Sequence, residues 1–229
     1  MDANEQALKA AELYRAGSWN EALLLISNIE KEAPAHTLAL EYKGLALQKL
    51  GKFEEALECW NALISNKGEV AMYYGERGVC KFNLRFKSAI DDFNQAVELE
   101  PKNAFRYSAR AYVLDKLGDI QGAIADYHRC LELDPEDAIA LNNLGVSEQK
   151  LGNKSKAELL FEKADGLMGI KPGMSTPQEW KRIDEQPVQT AERLSPSQKR
   201  KWIWKEVKQM LSSREGFRAF IKDLRPKNP

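Results

Sequence analysis

The chain has 229 residues, 43% of them hydrophobic and 30% charged, and its 34 lysines and arginines balance 34 aspartates and glutamates to a formal charge of zero. That apolar share excludes a disordered polymer, and no run approaches the roughly 18 uninterrupted apolar residues of a membrane-spanning helix. The opening MDANEQALKA carries acids where a signal peptide has bases, with no apolar stretch behind them, so a cytoplasmic location is expected. Cys59, Cys80 and Cys130 are an odd set lying far apart, which reads as free thiols of a reducing compartment rather than a disulfide framework.

Taken in chain order, the predicted elements are helical and they recur. Ala22, Ala56, Ala89, Ala123 and Ala157 follow one another at steps of 34, 33, 34 and 34. Each is followed four residues later by a bulky apolar side chain: Ile26, Trp60, Phe93, Tyr127 and Phe161. A second small position lies upstream, at Ala10, Gly44, Gly78, Ala111 and Gly145, where a facing helix is expected to cross closely. Gly17, Gly51, Gly118 and Gly152 mark the turns between paired helices, and Pro34, Pro101 and Pro135 close their units. The pattern predicts five helical hairpins over residues 3–36, 37–70, 71–103, 104–137 and 138–171. In the third unit NLRFKSA lacks the turn glycine and is one residue short, so a tighter or differently capped turn is expected there. In the fifth, Lys154 and Glu148 replace apolar residues, which predicts a weaker unit or one that meets something unusual.

These recurring small and bulky positions resemble the tetratricopeptide repeat family over about three quarters of the chain, most clearly in AFRYSARAYVLDKLGDIQGAIADYHRCLELDPED. The resemblance implies an all-α fold, a right-handed α-solenoid of helix-turn-helix repeats. No single unit buries its own apolar face, so stacking supplies the core. It also implies a concave wall built from the first helix of each unit. Carried over by register, that wall comprises Ala7, Leu8 and Ala11, then Glu41, Tyr42 and Leu45, then Met72, Glu76 and Val79. It continues through Phe105, Ser108 and Tyr112 to Ile139, Asn142, Asn143 and Val146. Glu41, Glu76 and Asp115 give the expected wall an acidic character suited to a basic amphipathic ligand, while Asn142 and Asn143 suit a peptide backbone. The alternative for Tyr42, Met72 and Phe105 is packing between helices. One subfamily grips carboxylate tails of chaperones with groove lysines, asparagines and an arginine. The matching positions here carry residues such as Ala7, Tyr42, Glu76 and Ala109, so no such clamp is expected.

Beyond residue 171 the sequence changes kind. Residues 172–194 form a proline-punctuated linker in which Trp180 and Ile183 mark a short helix. Ser195, Pro196 and Gln198 then start a basic amphipathic helix. Its apolar stripe comprises Ile203, Val207, Met210, Phe217, Ile221 and Leu224, widened by Trp202 and Trp204. Three fates are open to it: docking on the chain's own repeats, which is favoured, pairing with another protein or a second copy, and contact with a membrane surface or nucleic acid, which is disfavoured. An autoinhibited adaptor, with this helix in the groove, is one variant of the first.

Catalysis finds no footing in the sequence. His36 and His128 read as solvated, no metal-ligand spacing or phosphate loop is present, and no cofactor is expected. The cysteines read as packing residues, and the acids Asp91, Asp92 and Asp134 to Asp137 as solvated charge. The expected function is a non-catalytic protein–protein interaction scaffold or adaptor that binds a peptide or amphipathic helix. The zero net charge divides unevenly: residues 1–171 hold 21 basic and 27 acidic residues, while 196–229 hold 10 and 3.

Overall fold

The computed structural model describes residues 2–168 and divides the chain into two compact units that part between Glu100 and Pro101. The expectations for residues 169–229, including the linker and the amphipathic C-terminal helix, lie outside the described residues.

The first unit contains α1 (Ala3–Arg15), α2 (Trp19–Glu32), α3 (Thr37–Lys49), α4 (Phe53–Lys67), α5 (Ala71–Asn83) and α6 (Ala89–Leu99). The second contains α7 (Ala104–Leu117), α8 (Ile120–Leu133), α9 (Ala138–Lys150) and α10 (Lys154–Met168). Polar side chains start many of these helices by accepting from backbone N–H groups that have no intrahelical partner. Asp2 and Glu5 form a reciprocal capping box on α1, Asn103 caps α7, and Asp119 caps α8. Two caps correct the sequence reading. His36 is not a freely solvated ring: its Nδ1 accepts from Ala39 N at the start of α3, and its Nε2 lies 2.9 Å from Asn4 Oδ1. A ring whose Nδ1 accepts carries its proton on Nε2, which therefore donates to Asn4. Asp137 is only 1% exposed; it caps α9 through Ile139 N and Ala140 N and accepts from the Cys130 thiol. Burial pushes the Asp137 carboxyl above its usual range.

Within each hairpin the second helix sets a large side chain against a small residue of the first. A Cβ added at Gly44 would lie 2.7 Å from the Trp60 ring, one at Gly78 2.9 Å from Phe93, and one at Gly145 2.5 Å from Phe161. Trp60, Phe93 and Tyr127 are almost wholly buried, as are Ile26, Ala111 and Ala123. The next first helix then closes over the ring. In the first unit Tyr73 of α5 stacks on Trp60 at 6.2 Å between centroids, among Leu40, Leu47, Leu63, Cys59 and Cys80. In the second, Ala140 and Leu144 of α9 join Tyr127, Ala111, Ala123 and Cys130 in one cluster. All three cysteines are buried, as small core residues should be; burial pushes the Cys59 thiol up to about 11 and Cys80 higher still.

Ion pairs reinforce the hairpins. Asp92, expected to be solvated, is 3% exposed and receives Arg77 Nε at 2.9 Å, Arg77 Nη2 at 2.7 Å and Lys81 Nζ at 3.0 Å. Arg110 grips Asp126 in the same forked way, at 2.6 and 2.7 Å. These bidentate contacts tie α5 to α6 and α7 to α8.

The third hairpin departs from the others, and not by tightening. Residues 84–88 separate α5 from α6, a longer connection than the three residues 50–52 between α3 and α4, and α6 is shortened to 11 residues. Arg85 takes the left-handed conformation (φ 62°) that glycine supplies in the other hairpins, such as Gly118 at φ 92°. An L side chain there costs roughly 1–2 kcal/mol. Arg85→Gly should therefore raise the unfolding free energy by about 1 kcal/mol in urea titration, part of the relief being offset by the added freedom of the unfolded chain; a loss of stability would mean that the arginine side chain outweighs the backbone term.

Candidate peptide-binding face

The wall expected from the sequence lies on the first helices, and polar bonds hold those helices side by side. In the second unit Asp115 of α7 reaches α9 twice: Oδ1 accepts from Ser147 Oγ at 3.1 Å, and Oδ2 pairs with Lys150 Nζ at 2.5 Å. In the first unit Arg15 Nη2 donates to the Tyr42 hydroxyl at 2.9 Å, linking α1 to α3. Tyr73 OH donates to Glu41 Oε1 at 2.5 Å, and Gln48 Nε2 donates to Glu76 Oε2 at 3.1 Å, linking α3 to α5. With burial as the larger cause, the Glu41 bond holds the Tyr73 hydroxyl well above its usual range. Glu41, Glu76 and Asp115, read from the sequence as acidic points for a basic ligand, thus each accept a bond from a neighbouring first helix.

The other wall residues divide by exposure. Ala7, Ala11, Tyr42 and Val79 are buried, which corrects their placement on an open surface. Tyr42 falls to its packing alternative, its ring edge-on to Tyr14 at 5.5 Å. Leu45 and Met72 are half-buried against the Trp60 cluster. Leu8 is 58% exposed. On the second unit Phe105, Ser108, Tyr112, Ile139, Asn142 and Asn143 are half-buried, and Val146 is exposed. Arg106 lies over the Phe105 ring at 5.4 Å, and Lys116 over Tyr112 at 5.2 Å. The two asparagines differ: Asn143 hydrogen-bonds the buried Tyr127 hydroxyl and so supports the core. The helix residues Trp202, Ile203, Trp204, Val207, Met210, Phe217, Ile221 and Leu224 lie outside the described residues.

Sequence reasoning missed the forked Arg–Asp pairs, although their signal was present. Arg77 and Arg110 directly precede the small residues Gly78 and Ala111, while Asp92 and Asp126 stand three residues after Ala89 and Ala123. For Glu148 the sequence offered a weaker unit or one that meets something unusual, without naming a partner. Glu148 is 2% exposed, and both its oxygens are taken: Lys156 Nζ pairs with Oε1, and Asn153 Nδ2 donates to Oε2 at 2.7 Å. Lys156 and Asn153 flank Lys154, so the polar changes in this unit form a local network.

Two family profiles match the chain: one described as "TPR repeat" over residues 111–152 and one as "Tetratricopeptide repeat" over 43–104. Among solved structures, MamA from Desulfovibrio magneticus RS-1, residues 41 to its end, is 20% identical, covers 72% of this chain and 94% of its own, and superposes with a TM-score of 0.66. YrrB, described as a TPR protein with an unusual peptide-binding site, is 20% identical over 79% of this chain and 92% of its own, with a TM-score of 0.61. TTC0263, a TPR protein of Thermus thermophilus, is 20% identical over 72% and 91%, with a TM-score of 0.59. At such identities the likeness is one of fold. A comparison with curated proteins returns no significant match. The fold is an all-α solenoid of helical repeats. Residues 43–104 and 111–152 thus match tetratricopeptide repeats, a kind of repeat that serves in protein–protein interaction.

The Glu148 network gives a pH prediction. Burial alone would raise the carboxyl, but Lys156 and Asn153 outweigh it and hold the group below its ordinary value of 4.5. A carboxyl depressed in the fold contributes stability that is fully present above its unfolded value and lost as pH falls through the folded one. Glu148→Gln should lower stability at pH 7 by roughly 1–2 kcal/mol and flatten the acid limb below about pH 4.5 in urea titrations; an unchanged acid limb would contradict the assignment.

Proposed function

We propose that the protein is a non-catalytic adaptor that binds a peptide or helical segment of another protein along the first-helix faces. The observation that carries this reading is the α7–α9 face. Asp115 ties the two helices together, and Phe105 and Tyr112 on α7 and Ile139, Asn142 and Val146 on α9 recur at helical spacing and are half-buried or exposed. An extended ligand gains apolar contact from the rings, while a carboxamide such as Asn142 both donates to and accepts from a peptide backbone. The likeness to YrrB, a protein described by its peptide-binding site, supports the same use of the fold.

The C-terminal basic helix completes the array in this reading by covering α10. Repeat register supports that role. Ile26, Trp60, Phe93 and Tyr127 occupy the large-residue position with 0–2% exposure, whereas Phe161 of α10 is only half-buried and Leu167 is 43% exposed. An open array must cover its last apolar face, and the apolar stripe of residues 203–224 is suited to that task. Self-association through the same helix, or attachment to a phosphate-bearing surface, are the competing readings. None of the helices among the described residues is long and apolar enough to cross a membrane.

Affinity capture with the full chain, with residues 1–194 and with Asn142→Ala tests the proposal. Asn142→Ala should lose partner proteins at unchanged helicity, while 1–194 should melt at lower temperature and remain monomeric in sedimentation. Retention of every partner by Asn142→Ala would remove the groove reading. An unchanged melting temperature of 1–194 would remove the cap. Binding that collapses as salt rises would favour phosphate contact.

A further inference from the structure

We propose that the seat for the C-terminal segment on α10 is acidic, formed by Glu158 and Asp165, and that Arg214 is the side chain of that segment that meets it. This rests on the capping role given to the segment above and names the contact that fixes it.

Repeat register shows what a second helix carries on the face that the next helix covers. The residue after the small alanine is Leu23, Leu57, Ile90 or Ile124 in the first four hairpins, and Leu23, Leu57 and Ile124 pack against the two core clusters. In the fifth hairpin it is Glu158, which is exposed. Seven residues further on, the first four hairpins carry Glu30, Ile64, Val97 and Leu131, and the fifth carries Asp165. Two residues seven apart share one face of a helix, so Glu158 and Asp165 flank the half-buried Phe161 on the outer side of α10. Leu159, although 66% exposed, is not part of this face: Leu24, Glu58, Asp91 and Ala125 hold its register, and all are exposed.

The first unit shows how an acid at this place is met. Glu30 of α2 pairs at 2.7 Å with Lys43 of α3, the helix that follows it. Asp165 stands in the register of Glu30 and is 4% exposed. Glu158 is exposed and makes no ion pair among the described residues. A wholly apolar helix laid over α10 would take the Glu158 charge out of water without a partner, which is costly. A covering helix with a cation inside its apolar face removes that cost.

Residues 196–229 have such a cation. The stripe runs through positions 203, 207, 210, 214, 217, 221 and 224, and Arg214 is the one charged member. Covered by an apolar surface, Arg214 would be stranded in turn; opposite Glu158 and Asp165 it is matched. The connection is long enough: residues 169–194 reach up to about 85 Å when extended, against about 22 Å for the 15 residues of α10. That tether keeps the segment at high local concentration over its own α10, which favours docking within one chain over pairing with a second copy.

Hydrogen exchange of the full-length protein, read by mass spectrometry on peptides from 197–225, tests the contact. These amides should exchange more slowly than in the free peptide 195–229. Arg214→Leu should cut the protection roughly tenfold even though leucine completes the apolar stripe, and Arg214→Lys should keep most of it. Arg214→Glu should lose it too, and Glu158→Lys added to Arg214→Glu should restore part of the loss. Glu158 is exposed, so circular dichroism should show Glu158→Lys as helical as the parent. Undiminished protection in Arg214→Leu, or no recovery in the reversed pair, would overturn this contact and leave the cap standing. A segment as unprotected in the parent as in the free peptide would remove the cap itself, and the contact with it. Protection that rises with protein concentration would put the segment on a second copy and overturn docking within one chain.

Discussion

Close approach of two helix backbones at a small residue is the constraint on which the rest of this structure depends. In three of the hairpins the second helix carries a ring that takes the space a Cβ would occupy at Gly44, Gly78 or Gly145, while Ala10 and Ala111 are the small residues of the other two. Trp60, held in that way, becomes the floor on which Tyr73 of the following helix stacks. Within each unit the spacing of first helices follows, because α5 is seated on Trp60 and α9 on Tyr127. A face able to receive a ligand is a by-product of that seating, since the rows of side chains it displays keep a fixed separation.

The polar groups serve the same end. Arg77 and Arg110 reach across a hairpin to buried carboxylates, while Asp115, Glu41 and Glu76 accept bonds from a neighbouring first helix. Removing one partner from such a buried pair strands the other charge, so these contacts hold register even where their net contribution to stability is small. In the Arg77–Asp92, Arg110–Asp126 and Lys150–Asp115 pairs an acid and a base neutralise one another, so these groups present little net charge outward. The overall zero hides an uneven division, with 21 basic and 27 acidic residues over 1–171.

How much of this was legible follows from the physics of each feature. Repeat register was readable because it is steric: an alanine or glycine facing a ring leaves a mark at fixed period, and Ala56 with Trp60 or Ala123 with Tyr127 carries it plainly. The third turn was only half readable. The missing glycine announced a different cap, but the chain met the deficit by lengthening the connection and placing Arg85 in a left-handed conformation, a compromise that no local propensity favours. Asp92 and Asp137 were misread because a lone acid on a helix or in a turn looks the same whether solvated or buried; only its partner decides, and the partners lie 15 and 7 residues away. Val79 was misplaced for a related reason. A first helix presents two adjacent stripes, one to the core and one to the groove, and neighbouring register positions differ by about 100° of rotation.

The most direct test of the close-approach account is the unfolding free energy of Gly44→Ala measured beside Gly44→Ala combined with Trp60→Phe. If the ring occupies the Cβ space, the single substitution should cost about 1–3 kcal/mol through overpacking. The smaller ring should then return part of that loss, so the two changes together cost less than the sum of each made alone. A single substitution without cost, or costs that simply add, would contradict the claim that this contact sets the repeat.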